Sequence, residues 1–218
     1  MAAVRLMQTV FLDLDGTLTD PAEGIVTSVL YALERTGVAA PSFEQLTWVI
    51  GPPLIESFEK LGVPDPVEAL GFYRDRFSDK GLFENVPFPG VDQVLAELAL
   101  RYRLCLATAK PIAFAERITR HFGLDRHLFA QFGPELDGTR NDKGELLAHA
   151  LREIGERAVA CVMVGDRHHD IDAAKAVGMR SIAVAWGYGN PTEHAGADLI
   201  CETLADLPAA IATLMDGA

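Results

Sequence analysis

Basic side chains are in short supply in this chain: 19 lysines and arginines stand against 31 aspartates and glutamates, a formal charge of −12 over 218 residues. With no basic excess to neutralise phosphate backbones or anionic headgroups, nucleic acid and membrane surfaces are poor partners, and small molecules are expected. Cysteine is nearly as sparse. Cys105, Cys161 and Cys201 are an odd set without metal-ligand spacing, each in or beside an apolar strand-like run, so they read as buried reduced thiols and not as disulfides or nucleophiles. No stretch approaches the run of about 18 uncharged apolar residues that marks a membrane span, and Met1 to Gln8 lacks the apolar segment of a leader. A soluble cytoplasmic protein, monomer or homodimer, is expected. Internal repeats and low-complexity segments are missing too.

What is present is an alternation of two periods. Apolar strand-like runs recur at Thr9 to Leu12, Leu104 to Ala107, Val159 to Val164 and Ser181 to Ala185, with a weaker one at Leu199 to Cys201. Between them lie helical patterns: Val91, Val94, Leu95 and Leu98; Phe114, Ile118 and Phe122; and Leu147, Ala150, Leu151 and Ile154. Pro111 suits a first helical turn and Gly123 a helix stop. This alternation predicts an α/β fold, a doubly wound parallel sheet in which ligands bind beyond the carboxyl ends of the strands. Residues 21–84 break the rhythm. They hold helical faces such as Ile25, Val29, Ala32 and Leu33, then Leu54, Phe58 and Leu61, and no convincing strand. The expected organisation is a core of residues 1–20 and 85–218 with an inserted α-helical cap over 21–84.

Chemistry collects at the ends of the strand-like runs. Asp13-Leu14-Asp15-Gly16-Thr17 follows the first; side chains two apart on extended backbone point the same way, and Gly16 permits a sharp turn, so both acids can face one crevice. Two ionised carboxylates about 4 Å apart repel by about 4 kcal/mol at an effective dielectric near 20. A hard divalent cation taken through oxygen, Mg2+ above all, would relieve that repulsion. Thr108-Ala109-Lys110, Lys143 and Gly165-Asp166-Arg167-His168-His169-Asp170 complete the set. Each piece also has a bland reading. Asp15-Gly16 is a common turn pair, Thr108 could cap a helix, Lys143 could be a solvated first-turn residue, and Asp166 and Asp170 could stabilise a loop and a helix start. His168 and His169 raise a transition-metal site, but an oxygen-rich site suits Mg2+ and a solvated loop is the plainer reading; Arg167 is expected to pair with a carboxylate.

Together and in this order, Asp13-Leu14-Asp15-Gly16-Thr17-Leu18, Thr108, Lys143 and Gly165-Asp166 with Asp170 resemble the haloacid dehalogenase-like phosphatases over essentially the whole length, in particular the phosphoglycolate-phosphatase-like branch with a helical cap. The resemblance implies Asp13 as the nucleophile that forms an aspartyl-phosphate and Asp15 as general acid and base. It implies Thr108, the Ala109 backbone amide and Lys143 as phosphate binders, with Mg2+ held by Asp13, the Asp15 carbonyl and Asp166 and supported by Asp170. The activity implied is Mg2+-dependent hydrolysis of a small phosphorylated metabolite, phosphoglycolate first. A 5'-nucleotidase, a sugar-phosphate phosphatase or a phosphomutase on the same core are the alternatives, and a phosphorylatable signalling module or noncatalytic phosphate binder the alternative of another class. Gly51-Pro52-Pro53-Leu54 stands where relatives present a substrate-contacting loop and offers no charge. Trp186-Gly187-Tyr188-Gly189 reads as a turn with aromatic packing, secondary to the site.

Overall fold

The computed structural model describes residues 7–216; most of the Met1 to Gln8 segment considered above lies outside them. The chain forms two compact units, residues 19–87 and the remainder.

The larger unit starts with β1 (Thr9–Leu12), four residues that are all buried. The chain then leaves to build the second unit: β2 (Thr19–Asp20), α1 (Ala22–Thr36), α2 (Leu54–Lys60), α3 (Pro66–Arg76) and β3 (Val86–Pro87). On its return it makes α4 (Val91–Ala99), β4 (Arg103–Ala107), α5 (Ile112–His121), β5 (Ala130–Phe132), α6 (Lys143–Ile154), β6 (Cys161–Gly165), α7 (His168–Val177), β7 (Arg180–Val184), α8 (Pro191–His194), β8 (Leu199–Cys201) and α9 (Leu207–Asp216). The six long-sheet strands run parallel in the order β5-β4-β1-β6-β7-β8. A β1 paired on both sides and covered on both faces has to be continuously apolar, as Thr-Val-Phe-Leu nearly is.

Alternate side chains serve opposite faces. Phe11, Cys105, Ala107 and Met163 pack with Leu147 and Ala150 of α6 and with Ala173 and Ala174 of α7. On the other side α4 and α9 pack on each other and on β4 and β6. The chain builds β4 and β5 to one side of β1, then crosses to β6 on the other, which makes the carboxyl end of β1 the point where strand order reverses. Register brings the rims level: Leu12 pairs with Leu106 in β4 and with Val164 in β6.

Several strand boundaries differ by one or two residues from the sequence expectation. Ala158–Ala160 form a 3-10 turn with Val159 61% exposed, so β6 starts at Cys161; β7 is Arg180–Val184, one residue earlier than its apolar run. The edge strand β5 was not expected, because Ala-Gln-Phe is short, half-buried and without an apolar run. All three cysteines are buried free thiols. Burial pushes Cys105 and Cys161 up to about 12 and Cys201 to about 11, so they stay protonated and unreactive. Among the described residues no helix is long and apolar enough to cross a membrane.

The smaller unit is helical apart from the β2–β3 pair. Ile25, Val29, Ala32 and Leu33 of α1 are buried there with Phe58, Ala69 and Tyr73. A π-turn at Phe77–Gly81 brings Gly81 O so close to Gly24 that a side chain at Gly24 would collide with it. Arg76 forks onto Glu84 at 2.7 and 3.0 Å.

Candidate active site

The site belongs wholly to the larger unit. Asp13 is the first residue past β1, held by its own N–H, which donates to Val164 O at 2.9 Å. Gly16, at φ +77°, follows in a tight turn closed by Leu18 N donating to Leu14 O at 2.9 Å. Only glycine fits at Gly16, since a Cβ there would collide with the Asp166 carboxylate.

Asp166 lies immediately after β6 and is 1% exposed. Its Oδ2 accepts the Tyr188 N–H at 2.7 Å, whereas its Oδ1 is buried with no hydrogen-bond partner. Asp170, also 1% exposed, sits in the first turn of α7 and accepts the Arg167 N–H at 3.1 Å. Carboxylate oxygens of Asp13, Asp166 and Asp170 all fall within 4.8 Å of one another. Lys143, the first residue of α6, places Nζ 3.2 Å from Asp13 Oδ1 and pairs with Asp170 Oδ1 as well. The solvated-lysine reading therefore fails: Lys143 is buried among the acids it neutralises.

Asp15 points elsewhere. Its Oδ2 meets Lys110 Nζ at 2.8 Å, with both side chains largely buried. Lys110 was included in the Thr108-Ala109-Lys110 segment read from the sequence but was given no role of its own; a lysine two residues past a strand-end threonine was the available signal. Thr108 stands at the end of β4, where its N–H donates to Phe132 O at 3.0 Å and its Oγ1 accepts from Lys110 N at 3.2 Å. It does not cap a helix, because α5 starts beyond it and Pro111 holds the cap position. Ala109 between them is exposed at the rim.

Residues 186–189, read from sequence as a turn secondary to the site, form with residues 190–194 a clamp behind Asp166. Trp186 Nε1 donates to Thr17 O at 3.1 Å, and a side chain on Gly187 or Gly189 would collide with Asp166. His194 Nε2 lies 2.8 Å from Asp166 O; a carbonyl only accepts, so this nitrogen carries the proton. Glu193 accepts from Arg167 Nε at 2.8 Å and lies 2.8 Å from His168 Nδ1, which supplies the carboxylate expected for Arg167. The His168 and His169 rings lie against each other at a tilt of 42°, with centroids 3.8 Å apart.

Burial and then the charges of Asp170 and Asp13 push Asp166 up to about 8. Burial likewise raises Asp170, against the pull of Lys143. Burial works to lower Lys143, but Asp13 and Asp170 overcome it and hold the ammonium above its usual range. With all four carboxylates ionised, as a bound cation would make them, two ammonium groups leave two negative charges to be offset, the charge of one divalent cation. Together with the orphaned Asp166 Oδ1, an all-oxygen donor set of this kind fits a hard ion such as Mg2+.

The chain matches the profile of the haloacid dehalogenase-like hydrolases over residues 10–184. It belongs to that family. This haloacid dehalogenase-like hydrolase is 45% identical over 196 residues to a 5'-nucleotidase of Pseudomonas aeruginosa, a match covering 88% of each chain. It is 33% identical over 220 residues to a plasmid phosphoglycolate phosphatase of Cupriavidus necator, covering 96% of this chain and 95% of that one. The solved structure of the Mycobacterium tuberculosis Protein Tyrosine Kinase A is similar at a TM-score of 0.81 and 38% identity, covering 94% of this chain and 97% of that one. Family and phosphatase relatives agree that this hydrolase is a phosphatase, and enzymes of the family generally use a metal ion.

Proposed function

We propose that the chain is a Mg2+-dependent phosphomonoester hydrolase that works through an aspartyl-phosphate on Asp13. The observation that carries this reading is the meeting of Asp13, Asp166 and Asp170 within 4.8 Å beside the Lys143 ammonium. Asp13 attacks phosphorus; its carboxylate forms the new P–O bond as the bond to the leaving oxygen breaks. Asp15 gives that oxygen a proton, then takes one from the water that opens the aspartyl-phosphate, so one carboxyl serves both half-reactions. Thr108, the Ala109 amide and Lys143 hold the phosphoryl oxygens. Asp13, Asp166 and the Asp15 carbonyl would hold Mg2+, with Asp170 behind them; the ion, when bound, offsets charge on the phosphoryl group.

For the substrate, a nucleoside 5'-monophosphate is placed first and phosphoglycolate second. The relative named as a 5'-nucleotidase is the more similar of the two, at 45% against 33% identity. The helical unit points the same way. Arg35 lies over the Tyr31 and Phe72 rings, Lys60 over Trp48, and Arg76 is bound to Glu84, so three of its cations already have partners inside the unit. A second anionic group on the substrate, such as the phosphoglycolate carboxylate, would compete with those partners. The helical unit is read as the cap that selects the leaving group.

The test is phosphate release across a panel of phosphorylated metabolites, with Mg2+ and with excess chelator. Turnover that depends on Mg2+ and ranks nucleoside monophosphates highest by kcat/KM is expected. Phosphate binding without turnover at any Mg2+ concentration would overturn the hydrolase reading, and a phosphoglycolate maximum would overturn the substrate order.

A further inference from the structure

Lys110 is used by nothing in the scheme above, yet it is built into the site with care. Its N–H is held by Thr108 Oγ1 at 3.2 Å, and its carbonyl lies against Gly133, where a Cβ would stand 2.6 Å from Lys110 O. The next turn is tied down as Ile112 N donates to Pro134 O at 2.9 Å. The base of the side chain is thus fixed by the ends of β4 and β5, and the ammonium reaches Asp15 Oδ2 at 2.8 Å.

We propose that Lys110 is a positioning residue for proton transfer: its ammonium keeps the Asp15 carboxyl beside, and out of, the cluster of Asp13, Asp166 and Asp170. The inference rests on the reading of Asp15 as proton donor. Stability is a poor reason for the pair, since buried ion pairs gain little over apolar residues of the same volume. Position is a better one. Asp15 follows Asp13 by two residues, and without a cation of its own its side chain would be drawn towards the divalent ion that the neighbouring acids are arranged to hold. Two lysines divide the acids between them: Lys143 takes Asp13 and Asp170, and Lys110 takes Asp15. In the step served, the Asp13 oxygen bonds to phosphorus, the bond to the leaving oxygen breaks, and the Asp15 proton moves to that oxygen.

The test exploits the leaving group. p-Nitrophenolate leaves with little need of a proton, whereas an alkoxide needs one. Comparing kcat/KM isolates the first, phosphoryl-transfer step, and the alkyl substrate is the metabolite that the wild type hydrolyses best in the panel above. Lys110→Gln is expected to lose about 100-fold on the alkyl phosphate and less than about fivefold on p-nitrophenyl phosphate, a fraction of what general acid catalysis supplies. Lys110→Arg, which keeps a cation, should restore most of the alkyl-to-aryl ratio. Asp15→Asn should show the same discrimination more strongly. Lys110→Met, which fills the space without charge, repeats the measurement if thermal melting shows the glutamine variant unfolded at the assay temperature. Equal losses on both substrates in the folded Lys110 variants, with Asp15→Asn still discriminating, overturn the role of Lys110 and leave the hydrolase reading standing. No discrimination in Asp15→Asn removes the proton-donor assignment, and the inference with it.

Discussion

Asp13 has two neighbours that constrain it, Lys143 on its side chain and Val164 O on its N–H, and only the first would be disturbed by changing the carboxylate to an amide. On the proposed mechanism, Asp13→Asn is therefore expected to lower kcat by at least about 10⁴-fold while the circular dichroism spectrum and melting temperature stay close to wild type, because the proposed nucleophile is lost and no packing is. Glu193 offers a prediction of another kind. Burial works to raise this carboxyl, but hydrogen bonds from Arg167 and His168 prevail and hold it down at about 2, against an ordinary value of 4.5. A carboxyl depressed in the folded state contributes stability above the unfolded value and loses it as pH falls. The loss attributable to Glu193 should fall between pH 4.5 and about 2. In Glu193→Gln, the urea midpoint plotted against pH should be lower at neutrality and flatter through that window; an unchanged acid limb would show that the hydrogen bonds do not hold the carboxyl down. The convergence of single residues was legible in the sequence where they had a fixed place in a motif, as with Asp13, Asp166 and Lys143. Lys110 and His194 were not, because each takes its meaning from a partner far away in the chain, Asp15 or the Asp166 carbonyl.

Strands, helices and turns decide whether those residues converge. The flush ends of β4, β1 and β6 follow from parallel register, and the apolar runs at Thr9 to Leu12, Leu104 to Ala107 and Val159 to Val164 were strong enough to mark these strands to within two residues of their bounds. The edge strand β5 and the two-residue strands β2 and β3 were not, since their pairing is set by neighbours and not by a local apolar pattern. The turn of residues 186–189 shows the same limit. Two glycines in a Trp-Gly-Tyr-Gly run suggest a bend, but not that the bend wraps Asp166. Gly187→Ala is expected to destabilise the fold by about 1–3 kcal/mol, since the added methyl enters space filled by Asp166 and Gly16. It should also weaken Mg2+ binding by several-fold in calorimetry without substrate, where no turnover occurs. A variant with wild-type Mg2+ affinity and melting temperature would show that the turn yields freely and does not position Asp166.

Across the whole molecule, a formal charge of −12 means that an anionic substrate approaches against a repulsive field. Added salt screens that field, with a Debye length of about 10 Å at 0.1 M. At fixed Mg2+, kcat/KM for a phosphate monoester should rise about two- to fivefold between low and moderate ionic strength while kcat changes little. A fall instead would mean that local cations, not the overall charge, govern encounter. Composition made this property readable before any coordinates, as did the doubly wound class of the core. What composition could not supply is the place where the chain departs from and rejoins that core. Phe88 N donates to Leu18 O at 3.0 Å, and Thr19 pairs with Pro87, so departure and return lie side by side. A docking port of this form accepts modules of almost any length, because the ends of the graft are already brought together and little further loop entropy is lost. On the proposed reading, exchange of the helical module for another would retarget the enzyme to new leaving groups without a single change in the sheet that carries Asp13.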